Sequence, residues 1–213
     1  MSPILLLSDI HGNLPALETI LEKEKGNYDS ILSLGDVVNY APWSNECVKL
    51  LNEQPNKTLL IGNHEEYFLK GSYSNPGKVS EVFFSVCYPE FTQQKMIADY
   101  KQTVEINDVC FVHTINDKYI FRDTEIATDK KYCIGHSHQQ YVNELNEFTI
   151  INPGSVGQNR AAINIISYGF YNVEKNTFAF KEIKYNVDVV INEMISKKYP
   201  QECIDYYKNK NRV

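Results

Sequence analysis

The sequence predicts an α/β fold in a single domain spanning residues 1–213. Three observations carry that prediction. Short apolar runs alternate with helical patterns through residues 4–65, the arrangement that builds parallel sheets. The second half is rich in strand-like runs and ends in a hairpin and helical tail. The length of 213 residues, with 43% hydrophobic and 23% charged residues, is enough for one sizeable core.

Ile4-Leu5-Leu6-Leu7 is a continuous apolar run and reads as a buried strand. It ends in the loop Ser8-Asp9-Ile10-His11-Gly12-Asn13. Asn13 can cap a following helix, Pro15 suits its first turn, and Leu14, Leu17 and Leu21 recur at helical spacing. The second unit repeats the plan. A strand over 30–34 ends at Gly35-Asp36, the loop Val37 to Trp43 follows, and a helix runs from about Ser44 to Glu53, capped by Ser44 or Asn45. In the third unit, Thr58-Leu59-Leu60-Ile61 is a strand ended by Gly62-Asn63-His64-Glu65. The order β-α-β-α-β implies parallel strands with right-handed crossovers, so three polar loops reach one sheet edge.

Residues 66–102 differ. The spacing predicts a loop over 71–77 and helices at about 78–87 and 91–101, forming a cap-like segment beside the site rather than in the main core. Tyr67, Phe68 and Tyr73 read as core residues in preference to cleft residues. Further on, strands at 109–112, 132–134 and 148–151 end at His113, at Gly135-His136-Ser137-His138 and at Asn152-Pro153-Gly154-Ser155. Residues 163–173 and 177–185 read as an antiparallel hairpin joined at Glu174-Lys175-Asn176. The tail, about 186–208, predicts two short helices broken at Pro200.

Composition excludes several classes. Net charge is -6 with no basic block, which speaks against nucleic-acid or anionic-membrane partners. Arg122, Arg160 and Arg212 are the only arginines, so bidentate phosphate clamps are scarce. Five dispersed cysteines, with no C-x-x-C pair, read as reduced thiols. The first residues meet Asp9 too early for a signal peptide, and no apolar run reaches transmembrane length. A cytoplasmic protein is the expectation.

Gly35-Asp36 alone reads as a turn aspartate bonding its own backbone. Its neighbours change that. All five histidines, His11, His64, His113, His136 and His138, sit just past an apolar strand. Any one of them is unremarkable as a satisfied loop or core histidine; the set is not. Imidazole and carboxylate donors suit first-row divalent ions, and the lack of cysteine near these motifs argues against a thiolate zinc site. Two metals about 3.5–4 Å apart can share one carboxylate. Asp36, on a central strand end, is the candidate bridge.

Asp9-Ile10-His11, Gly35-Asp36, Gly62-Asn63-His64-Glu65, His113 and Gly135-His136-Ser137-His138 together resemble the five-block signature of the calcineurin-like metallophosphoesterase superfamily, in order, from about residue 4 to 158. Ser8 to Leu17, Gly35 to Pro42 and Asn152 to Gln158 resemble its small bacterial-type phosphodiesterase branch. The resemblance implies a four-layer sandwich, two central mixed β-sheets flanked by helices. It implies one metal on Asp9, His11, Asp36 and His138, a second on Asp36, Asn63, His113 and His136, and His64 as the catalytic histidine. The implied reaction is attack on phosphorus by a hydroxide bridging two divalent ions, manganese foremost, with iron, zinc, nickel or magnesium as alternatives. The implied substrate is a small phosphoester, a cyclic or dinucleotide phosphodiester or another small diester in preference to a monoester.

Two departures stand out. Thr114 follows His113 where the family often has glycine. Asn39-Tyr40 stands where Ser/Thr protein phosphatases carry an Asp-Arg pair, which argues against that activity. Asn39 and Tyr40 are expected to shape substrate choice, and Arg160 is a candidate phosphate contact against the plain reading of a surface arginine. The rival classes are a phosphomonoesterase or protein phosphatase, and a non-catalytic scaffold on the same fold. A scaffold would have lost ligands, whereas every ligand position here is filled. A nucleotide-binding doubly wound protein would want a Gly-rich loop after the first strand, and Asp9 to Asn13 is not one.

Overall fold

The computed structural model describes residues 3–73, 78–145 and 148–213. Two five-stranded mixed sheets lie face to face. In the first, β1 (Ile4–Leu7), β2 (Ser30–Ser33) and β3 (Lys57–Leu59) run parallel. The antiparallel pair β9 (Ile165–Asn172) and β10 (Thr177–Lys184) extends it on the β1 side, giving the order β10-β9-β1-β2-β3. In the second, β5 (Val109–Val112), β6 (Lys131–Cys133) and β8 (Phe148–Pro153) are parallel. β4 (Thr103–Ile106) and β7 (Gln140–Leu145) flank them antiparallel, in the order β4-β5-β6-β8-β7. The expected pair of central mixed sheets is borne out.

Alternation along the strands sorts the core into layers. Leu6 and Leu32 of the first sheet meet Phe111, Cys133 and Ile151 of the second in the inter-sheet layer. Leu5, Leu7 and Ile31 point the other way, into the larger cluster under the helices. These are α1 (Leu14–Lys23), α2 (Ser44–Glu53), α3 (Asn63–Lys70), α4 (Val79–Cys87), α5 (Gln94–Ala98), α6 (Asp188–Ser196) and α7 (Gln201–Lys208). On the outer face of the second sheet, Ile134 and Ile150 are covered by Ile120 and Ile126 from the connection between β5 and β6.

The first helix starts as its sequence dictates: the Asn13 side chain accepts the Ala16 N–H, with Pro15 in the first turn. The second does not. Ser44 is already helical, the cap is Trp43, and the Ser44 hydroxyl instead accepts the Asn39 N–H at 3.0 Å. Helix α3 was not expected. It begins directly after β3 because the Glu65 carboxylate reaches back to the Gly62 N–H, and it stops where Gly71 turns left-handed at φ 68°. Strand β4 was also unexpected: a two-residue turn at Asn107-Asp108, with Asn107 at φ 56°, folds it onto β5. Against the expectation that the segment 66–102 stays out of the main core, Phe68, Phe83, Phe84, Phe91 and Ile97 are part of it. Of the loop expected over 71–77, residues 74–77 lie outside the described residues. No described helix is long and apolar enough to cross a membrane.

Candidate metal centre

The loops that follow the strands are stitched together before any side chain is considered. Past the end of β1, Asp9 N–H donates to Gly35 O, His11 N–H to Asp36 O and Gly12 N–H to Val37 O. The connection after β8 crosses from the other sheet: Val156 N–H donates to Ser8 O and Gly157 N–H to Asp9 O. Both sheets therefore deliver their loops to one place. To turn side chains over the sheet ends, Asp9, His11, Asp36, His136 and His138 all adopt left-handed backbone, with φ between 52° and 64°. Asp is among the side chains that tolerate that region best, and His is several-fold enriched there.

Among the described residues, two groups of potential ligand atoms result. Asp9, His11, Asp36 and His138 form one and Asp36, His113 and His136 the other, with the ligand atoms of each group within 4.8 Å of one another. Asp36 belongs to both. Its Oδ2 lies 3.2 Å from His113 Nε2 and 3.9 Å from His11 Nε2. Asn63 Oδ1 lies 3.1 Å from His113 Nε2, which brings it beside the second group. Asp9 Oδ1 is 3.4 Å from His138 Nε2.

The chemistry of the donors fits divalent cations. His11 Nδ1 faces Val38 O, His113 Nδ1 faces Leu34 O and His138 Nδ1 faces Gln158 O, at 2.8–3.2 Å. A carbonyl oxygen only accepts, so each Nδ1 carries the proton; the neutral rings of His11 and His138 turn an Nε2 lone pair inward, and His113 Nε2, 3.2 Å from Asp36 Oδ2, can serve a metal once its second proton leaves. His11 Nε2 and His138 Nε2 then stand 3.1 Å apart as two lone pairs. Such a pair repels unless a cation lies against it.

Burial sets the charge states. It pushes the Asp9 carboxyl up to about 7, against the pull of His113 and the Ser8 hydroxyl. It pushes His11 and His136 down to about 3 and His138 well below the ordinary imidazole range, leaving these rings neutral. The Asp36–His113 pair goes the other way. Burial opposes both charges, but their mutual attraction lifts His113 to about 10 and holds Asp36 well below the usual carboxylate range.

Several supporting residues were not singled out from the sequence. Glu65 is fully buried and accepts the backbone N–H groups of Asp36, Val37, Val38 and Gly62 at 2.7–3.1 Å. Ser8 Oγ donates to Asp9 Oδ2 at 2.7 Å, and Asn152 Nδ2 donates to Gly135 O and Ser137 Oγ. Glu65 also had a local signal, its place three residues after Gly62 at a helix start.

The remaining expected residues surround the two groups. His64 opens α3 beside Asn63 and lines a cleft of about 280 Å³ with Tyr40, Tyr67, Tyr73, Tyr119 and His136. Burial lowers its pKa, with Asp36 opposing. The Tyr40 ring packs edge-on against His11 at 4.7 Å. Asn39 is fully buried behind His64. Thr114 turns its hydroxyl to Lys118 O at 2.5 Å. Arg160 is exposed but tethered: its Nε–H donates to Ser137 O at 2.6 Å, and its guanidinium lies 5.7 Å and 5.4 Å from the Tyr119 and Phe121 ring centres. It lines a second cleft with Arg122 and His138.

The calcineurin-like phosphoesterase superfamily domain matches residues 3–176. The uncharacterized protein MJ0912 of Methanocaldococcus jannaschii is 28% identical, over 94% of this chain and 95% of its own length. A metallophosphoesterase from Sphaerobacter thermophilus superposes with a TM-score of 0.76 at 23% identity, covering 97% of this chain and 98% of that one. The hypothetical protein PH1004 of Pyrococcus horikoshii OT3 gives the same TM-score and coverage at 17% identity.

Proposed function

Because the chain belongs to the calcineurin-like phosphoesterase superfamily, and is thereby a hydrolase of phosphoester bonds, we propose that it cleaves small phosphodiesters at a two-metal centre. The observation that carries this reading is the sharing of Asp36 by both groups of ligand atoms. Asp9, His11, Asp36 and His138 would hold one ion, and Asp36, Asn63, His113 and His136 the other. Manganese is the first candidate on the family resemblance, and the N/O donor set equally suits iron, zinc, nickel or magnesium. When bound, the ions supply Lewis acidity toward a water and the phosphoryl oxygens.

The protein's own groups do the rest. His64 faces the cleft beside the ligand groups, where a donor can bond an ester oxygen as charge develops on it. Tyr40 walls the same cleft. Arg160, held by Ser137 O and by two aromatic rings, offers an ordered guanidinium for a phosphate oxygen. A diester is favoured by the two clefts. His136 lines one and His138 the other, so a phosphorus between them has room for an arm on each side. The five buried free thiols fit a reducing, cytoplasmic setting.

The test is a screen of phosphodiesters and phosphomonoesters with metal content measured on the same sample. Hydrolysis of diesters ahead of monoesters supports the reading. Preference for monoesters removes the diester assignment, and a metal-loaded protein that cleaves neither is a scaffold.

A further inference from the structure

The five histidines are not wired alike. His11, His113 and His138 each present Nδ1 to a backbone carbonyl, an acceptor. His64 presents Nδ1 to the side-chain amide of Asn39, at 2.9 Å to Nδ2, with both residues buried. The same Nδ2 lies 3.1 Å from Ser80 O. That second contact sets the orientation of the amide. A carbonyl oxygen can only accept, so the amide nitrogen, not the amide oxygen, must face Ser80 O. Its other hydrogen then points at His64 Nδ1, which has to be the lone pair. Turning the amide over would put two oxygens 3.1 Å apart at Ser80. As it stands, Asn39 Oδ1 is buried without a hydrogen-bond partner among the described residues. The amide forgoes a bond at its oxygen in order to make two at its nitrogen.

We propose that Asn39 is a positioning residue that locks His64 in the Nε2–H tautomer, making the ring a hydrogen-bond donor toward substrate and excluding it from the ligand set. This rests on the phosphoesterase reading for its catalytic consequence, but not for the tautomer itself. An imidazole whose Nδ1 is occupied by a donor and whose Nε2 carries a proton has no lone pair to give a metal. His11 and His138, with the opposite tautomer, have one each. The lock separates His64, whose ring centre is only 4.9 Å from that of His11, from the residues that would bind the ions. The His64 ring then acts by donating a hydrogen bond, and no proton leaves it.

The backbone of Asn39 suits the task. Its φ is 77°, and its N–H donates to Ser44 Oγ while its amide meets His64 Nδ1. Aspartate could adopt the same backbone but would present only acceptors, requiring a proton on His64 Nδ1.

The experiment is a long-range proton–nitrogen correlation spectrum of 15N-histidine-labelled protein loaded with Zn²⁺, with the His64 signals assigned by their loss in His64→Gln. His64 is expected to show a protonated Nε2 and an unprotonated Nδ1, while His11, His113 and His138 show the reverse. A protonated Nδ1 on His64 in the wild-type protein overturns the proposal, and needs no variant to be seen. In Asn39→Asp the His64 pattern is expected to acquire an Nδ1 proton; an unchanged pattern overturns the lock.

Kinetics supply a second readout. Asn39→Leu is expected to slow kcat by about 10–100-fold on diesters with alkyl leaving groups and by much less on nitrophenyl esters, with KM little changed. A uniform loss across leaving groups would make Asn39 merely structural and overturn the positioning role. If the protein hydrolyses no phosphoester while His64 keeps the expected tautomer, the functional reading fails and the lock stands.

Discussion

Gly62 lies directly against the Asp36 side chain: a Cβ built on Gly62 would stand 2.2 Å from Asp36 Oδ1 and 2.5 Å from Asp36 N. The carboxylate proposed to bridge two ions is therefore seated on a residue with no side chain. Gly62→Ala must push Asp36 away or displace the start of α3. It is expected to lower metal affinity by at least about 10-fold, read by metal titration. Undiminished affinity would mean that Asp36 does not need this seat.

Asp36 itself sits in both ligand groups. Asp36→Ala is expected to bring bound metal from about two equivalents to one or fewer, with loss of diesterase activity. Elemental analysis of the purified variant decides it, since an unchanged two-metal stoichiometry refutes the bridge. In the wild-type protein, chelation is expected to abolish hydrolysis of bis-p-nitrophenyl phosphate and Mn²⁺ to restore it. Activity indifferent to chelator would sink the metal mechanism.

His64→Ala is expected to reduce kcat by about 100-fold or more while leaving metal content near the wild-type value. Loss of both ions in that variant would make His64 a ligand.

Glu65 ties the loops together through the four backbone N–H groups it accepts. In Glu65→Gln one carboxylate oxygen becomes an amide nitrogen facing backbone N–H groups that now lack an acceptor. A loss of about 3 kcal/mol is expected from urea unfolding of the metal-free protein. A change below about 1 kcal/mol would show that the loops hold without it.

Far from the site, Glu24 predicts an acid-sensitive step. Burial works to raise its carboxyl, but hydrogen bonds from Tyr168, Lys181 and Asn27 outweigh it and hold the group below the ordinary carboxylate range. A depressed folded-state pKa means that the contribution is fully present above the unfolded value, near 4.5, and is lost as pH falls through the folded value. Glu24→Gln is expected to flatten the fall in unfolding free energy below pH 4.5. An identical slope in the variant would rule Glu24 out.

Much of this was legible in the sequence. The strands leading to Asp9, Asp36 and His113 were visible as apolar runs, because both faces of those strands are buried. The residues at their ends were legible as a set because imidazoles and carboxylates rarely gather in such places without cause. What escaped notice is mostly half-buried or acts at long range. β4 exposes alternate residues and has no apolar run, and β7 opens with a polar glutamine. Glu65 works on N–H groups 27–29 residues away, and no local pattern encodes that. Which sheet each strand joins likewise depended on the inter-sheet packing of Leu6, Phe111 and Ile151.

The left-handed backbone at Asp9, His11, Asp36, His136 and His138 sets activity and durability at odds. Each non-glycine residue held there costs of order 1 kcal/mol that the rest of the fold must absorb. A chain released from the need to bind ions would gain by drifting to glycine at these five positions, becoming hardier and inert. Ancestral reconstruction or laboratory selection for heat resistance alone should erode this centre first, and selection for turnover should restore it at the expense of melting temperature.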